Sequence, residues 1–129
     1  MKHKILSGLL LTGGFLMMSD TALAVTKHDF EALTTQSLIN LCTVPSKDPL
    51  AQQAIHFCQG YLVGAFDFHM AARKDSKKNA WFCLPKPEPS RNEIVAKFVE
   101  WATAHPEYMN EVPVETEFRF LVANYPCSK

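Results

Sequence analysis

The chain has 129 residues with 13 Lys and Arg against 13 Asp and Glu, a formal net charge of zero and a pI near 6.9. That length suits one compact domain, and the even charge excludes the basic face from which nucleic-acid binding gains its counterion release. With 47% hydrophobic and 20% charged residues, the chain carries too much apolar mass to stay disordered.

Met1-Lys2-His3-Lys4 is a short basic start, residues 5–18 are an apolar run interrupted by Ser7, Gly8, Thr12, Gly13 and Gly14, and Ala22 and Ala24 are small residues at −3 and −1 of a cleavage point. This pattern predicts a secretory signal peptide over residues 1–24, cleaved after Ala24, and a domain over residues 25–129. Asp20 cuts the stretch short of the ~20 apolar residues that a membrane span needs. Removing residues 1–24 leaves 105 residues with 11 basic and 12 acidic groups, a net charge of −1, and keeps all four cysteines. No second apolar stretch follows, so the mature form is expected to stay off the membrane.

Thr26 with Asp29 starts the first helix, and Phe30, Leu33, Leu38, Leu41 and Cys42 mark its apolar face over about four turns. Thr43 to Asp48 is a loop. Asp48 before Pro49 reads as a cap and a first-turn proline. Ala54, Ile55, Cys58, Tyr61, Leu62, Ala65, Phe66 and His69 then keep the helical period for about five turns, the longest and most apolar helix, expected at the centre. Gly60 and Gly64 on it each cost about 1 kcal/mol relative to Ala, which predicts a helix or aromatic ring packed closely over them.

Arg73 to Asn79 is a polar, basic connection, and Trp81 to Leu84 is apolar again, with Pro85, Pro87 and Pro89 keeping it extended. Ser90 with Glu93 is a capping box, followed by Ile94, Val95, Phe98, Trp101, Ala102 and His105 at helical spacing up to Pro106. Pro113 opens a fourth helix whose apolar face is expected at Val114, Phe118, Leu121, Val122 and Tyr125 before Pro126. The fold class is therefore all-α, a small four-helix domain stapled by two disulfides.

Cys42, Cys58, Cys83 and Cys127 are separated by 16, 25 and 44 residues, spacings unlike the close pairs of zinc sites or redox motifs. In an exported chain they predict disulfides. Three connectivities exist. A hairpin of the first two helices favours Cys42 with Cys58, leaving Cys83 with Cys127, a bridge worth roughly 4 kcal/mol in the chain-entropy model.

No catalytic constellation is legible. His56 and His69 are nearly four turns apart, too far to share one metal ion, and His105 suits a helix C-terminus, where an imidazole meets the last carbonyls. Asp67, between Phe66 and Phe68, is the carboxylate with the most unusual neighbours. Glu111, Glu115 and Glu117 read as solvated helix positions, and no nucleophile elbow or glycine-rich phosphate loop is present. The expectation is a non-enzyme without metal or cofactor.

The run Cys58-Gln59-Gly60-Tyr61-Leu62-Val63-Gly64-Ala65-Phe66-Asp67 resembles the Rap/Tai group of small periplasmic immunity proteins, which protect bacteria from amidase effectors delivered by type VI secretion. The resemblance continues through Cys83-Leu84-Pro85, His105-Pro106 and Tyr125-Pro126-Cys127. It implies a helical, disulfide-bonded periplasmic domain, often a homodimer, that occupies the groove of a peptidoglycan amidase and catalyses nothing itself. It also implies that Gly60, Tyr61, Gly64, Asp67, Pro85, His105, Pro106 and Pro126 are scaffold, with effector contacts on variable loops. Candidate contacts here are Arg73, Lys74, Lys77 and Lys78 in the basic connection, and Glu107, Tyr108, Asn110 and Glu111 in the turn after Pro106. Two other classes compete: an acid-stress chaperone or general periplasmic binder driven by four mature histidines, and a carrier of apolar ligands, against which a simply packed aromatic core weighs heavily.

Overall fold

A computed structural model describes residues 24–73 and 80–127. Among them are four α-helices and no strand: α1 (Thr35–Cys42), α2 (Ala51–Ala72), α3 (Arg91–Thr103) and α4 (Pro113–Asn124), with short 3-10 turns at Lys27–Glu31 and Pro106–Tyr108. Disulfides join Cys42 to Cys58 and Cys83 to Cys127. The basic connection apart from Arg73, and the signal segment apart from Ala24, lie outside the described residues.

The first expected helix is two pieces. Thr26 and Asp29 do form a capping box, but the 3-10 turn they start ends at Ala32, whose left-handed backbone (φ 45) halts it. Thr34 then caps α1 by accepting from the backbone N–H of Ser37. The break turns Leu33 outward. Asp29 is buried at the junction. Burial alone would raise its pKa, but hydrogen bonds from Thr26 Oγ1 (2.7 Å), Thr26 N–H (2.8 Å) and Asn40 Nδ2 (2.9 Å) outweigh it and hold the carboxyl below its ordinary value.

The short helix α1 occupies the centre, with Thr35, Leu38 and Leu41 fully enclosed by α2, α3 and α4. The longer α2 buries one stripe, Ala54, Cys58, Leu62 and His69, and presents the rest outward. Gly60 and Gly64 lie on its open side, where an added Cβ would meet nothing within 4 Å. The expected close packing over these glycines is absent. Asp48 is not the cap expected of it: Leu50 holds the N-cap position without a side-chain cap, and Asp48 instead accepts from the Leu50 N–H on Oδ1 (2.8 Å) in the turn before the helix and from the Val25 N–H on Oδ2 (3.1 Å). The helix proper starts two residues after Pro49.

The Ser90–Glu93 capping box starts α3 with both reciprocal hydrogen bonds, and Cys83 donates its N–H to the Tyr125 carbonyl at 2.7 Å beside the second disulfide. Helix α4 is rotated from the expected face. It buries Pro113, Thr116, Glu117, Phe120 and Leu121, while Val122 is exposed. The reason lies at its first turns. The Thr116 hydroxyl meets Thr35 Oγ1 at 2.7 Å in the core, and Thr35 donates in turn to the Glu111 carbonyl at 3.1 Å, locking that side of α4 onto α1. The rotation carries Glu117, expected in solvent, to 4% exposure.

Candidate protein-interaction face

The face is built from three helical spacings. His105 follows Trp101 by one turn, so their rings stack at 4.1 Å and the imidazole Nδ1 donates to the Trp101 carbonyl at 2.7 Å, the helix-end role expected for it. Pro106 closes the helix and opens the turn that brings Tyr108 over the same indole, 5.7 Å between centroids and 12° between planes. On α4, Phe118, Arg119 and Val122 point the same way and complete a shallow groove with Trp101 and Tyr108.

Arg119 is fixed rather than free. Its guanidinium lies 5.0 Å from the Tyr108 ring centroid, and Glu111 takes its Nε at 3.0 Å and Nη2 at 3.4 Å. A forked pair of this kind orients the guanidinium, and stacking on Tyr108 adds cation–π attraction. From the groove, Phe118 leads to Trp81, edge-on at 6.0 Å and 60% exposed. His69 sits among Trp81, Phe82 and Phe118 at 4.9, 5.5 and 4.8 Å. Burial, reinforced by the Arg73 charge, holds its pKa below the ordinary value.

Several sequence-derived candidates change character. Arg73 is half-buried and packed over His69, with its Nη1 3.4 Å from Nε2, so it is no loose surface charge. Lys74, Lys77 and Lys78 lie outside the described residues. Glu107 and Asn110 are exposed on the turn, Tyr108 lines the groove, and Glu111 pairs with its Arg119. Of the first patch only Arg73 is described, and His69, Trp81 and Phe118 link it to the groove. Among the motif residues, Tyr61 is half-buried, and Asp67, Pro85, Pro106 and Pro126 are exposed.

Trp81, Trp101, Arg119 and Val122 were not among the candidates. For the two tryptophans and Arg119 the residue type was the available signal, since Trp, Tyr and Arg are the side chains on which interface energy concentrates; Val122 carries no such signal. Assigning Trp101 and Phe118 to a core face concealed it. Both are only half-buried and divide their surface between core and groove.

Among the described residues, no three His, Cys, Asp or Glu side chains converge in a way that could hold a metal ion, and no helix is long and apolar enough to cross a membrane. No curated protein and no solved structure matches the chain. Residues 34–127, from the cap of α1 to the last cysteine, match the model of the Rap1a immunity proteins, and the chain belongs to that family.

Proposed function

We propose that this protein is exported by its residues 1–24, works in the periplasm, and neutralises a peptidoglycan amidase effector of a type VI secretion system by binding it, without catalysing a reaction. Membership of the immunity family is the observation that carries this reading. The face of Trp101, Tyr108, Phe118, Arg119 and Val122, extended to Trp81, supports it physically. Its anchors are rigid rings and a pre-oriented guanidinium, which lose little side-chain entropy on docking. The exposed Glu107 and Asn110 supply a polar rim.

The test is periplasmic co-expression with a peptidoglycan amidase effector of a type VI secretion system, together with titration of the purified pair. Protection and a tight complex are expected, and Arg119→Ala and Tyr108→Ala should each weaken binding about 30-fold, the ~2 kcal/mol of a hot spot. Glu107→Ala should change it less than threefold. Unprotected cells with a folded, exported protein would refute the function, and normal binding by Arg119→Ala would relocate the face.

A further inference from the structure

Glu117 sits at a cleft that takes no part in the aromatic face. The cleft holds about 200 Å³, and Leu62 and Phe66 of α2, Leu84, and Phe98 of α3 form its apolar walls. An apolar cavity of about 150 Å³ already admits a benzene-sized guest. Glu117 is 4% exposed, and its Oε2 is enclosed without a hydrogen-bond partner. Asp67, Glu88 and Arg91 are the other charged residues of the lining.

An enclosed carboxyl with an unused oxygen is a cost that an apolar side chain would avoid. Asp67 and Glu88 against the one guanidinium of Arg91 give the cleft a negative sign, to which Glu117 adds when it loses its proton, so the cleft disfavours an anionic guest and favours a cation. The apolar walls require the cation to carry a hydrocarbon body.

We infer that this cleft is a binding site for a primary amine on an apolar stem, its ammonium donating to Glu117 and its stem lying against Leu62, Phe66, Leu84 and Phe98. The free amine of a small molecule and the side chain of a lysine share this chemistry. Burial pushes the Glu117 pKa up to about 8, so near neutral pH the empty site holds a proton that an arriving ammonium displaces. Tyr61 of α2 is the titratable neighbour of Glu117, and Asp67 of α2, Glu88 of the connection and Arg91 of α3 line the same cleft. Asp67 and Glu88 add attraction for the cation and Arg91 opposes it. Binding should release one proton and strengthen about tenfold from pH 6 to pH 7, levelling off above pH 8.

The test uses hexylamine, hexan-1-ol and hexanoate against the exported protein, with NMR titration for affinity and calorimetry in two buffers of different ionisation enthalpy for the proton. Hexylamine is expected to bind at least tenfold more tightly than either analogue at pH 8 and to release one proton at pH 6.5. Glu117→Gln should abolish both the preference and the pH dependence. The double variant Asp67→Asn, Glu88→Gln changes only exposed positions and should weaken hexylamine severalfold, which keeps the test valid if Glu117→Gln does not fold. Competition by an N-acetyl-lysine amide would assign the stem to a lysine side chain; hexylamine binding without such competition would assign it to a free small amine. Equal affinity for hexylamine and hexan-1-ol, no binding at millimolar concentration, or an unchanged pH profile in Glu117→Gln would each overturn the inference.

Discussion

Glu117→Gln is expected to stabilise the protein at neutral and alkaline pH and to leave it unchanged in acid. The carboxyl has an ordinary value of 4.5 in the unfolded chain and titrates at about 8 in the fold, because burial disfavours its charged form. Between those values the folded state holds a proton that the unfolded state has released. Stability therefore falls as pH rises, by about 1.4 kcal/mol per pH unit, and the loss reaches about 5 kcal/mol above pH 8. That is comparable to the whole stability of a weak domain, where totals run ~5–15 kcal/mol. Glutamine matches the shape and cannot ionise. Urea unfolding of both proteins from pH 4 to pH 9 gives the difference directly, and contributions from Asp29 and His69, present in both, cancel. The curves should coincide below pH 4.5 and diverge until pH 8. Parallel curves, or a glutamine variant less stable at pH 8, would show that Glu117 reaches water or a partner and that the burial argument is wrong.

Gly60→Ala and Gly64→Ala should each raise stability by about 1 kcal/mol in urea unfolding, since helix propensity improves and the new methyl meets no atom within 4 Å; a loss would mean that the glycines have close neighbours after all. In the hydroxyl pair, Thr35 gives its proton to the Glu111 carbonyl and so accepts from Thr116. Thr35→Val, which strands the buried Thr116 donor, should cost about 1–3 kcal/mol, more than the ~1 kcal/mol of Thr116→Val, which leaves Thr35 bonded. Equal costs in thermal unfolding would contradict this donor assignment. Replacing both Cys83 and Cys127 by Ser opens a loop of 44 residues and should lower stability by about 4 kcal/mol in the chain-entropy model; a change below ~1 kcal/mol would place the C-terminal tie elsewhere.

Helix existence was legible wherever caps and prolines punctuate the chain. Ser90 with Glu93 starts α3, Pro113 starts α4, and Pro106 follows the end of α3, as their local chemistry requires. The disulfide pairing was legible to the extent that a helical hairpin brings Cys42 to Cys58. Less visible was the break at Ala32, where an ordinary residue adopts a left-handed backbone that no glycine announces. The interaction face was half legible. Tyr108 and Glu111 were found by their place in a turn, but Arg119 and the two tryptophans join them only through stacking across helices.

By itself the amino-acid sequence determined what depends on near neighbours: four helices, their caps, the four cysteines, and a family resemblance carried by short motifs. The rotation of α4 was decided only in three dimensions, because its helical pattern offers two faces of similar apolarity. The Thr35–Thr116 contact, between residues 81 apart, selects the one that buries Glu117. Charge state follows from that choice: a glutamate that local sequence places in water becomes a neutral acid once tertiary packing takes the water away.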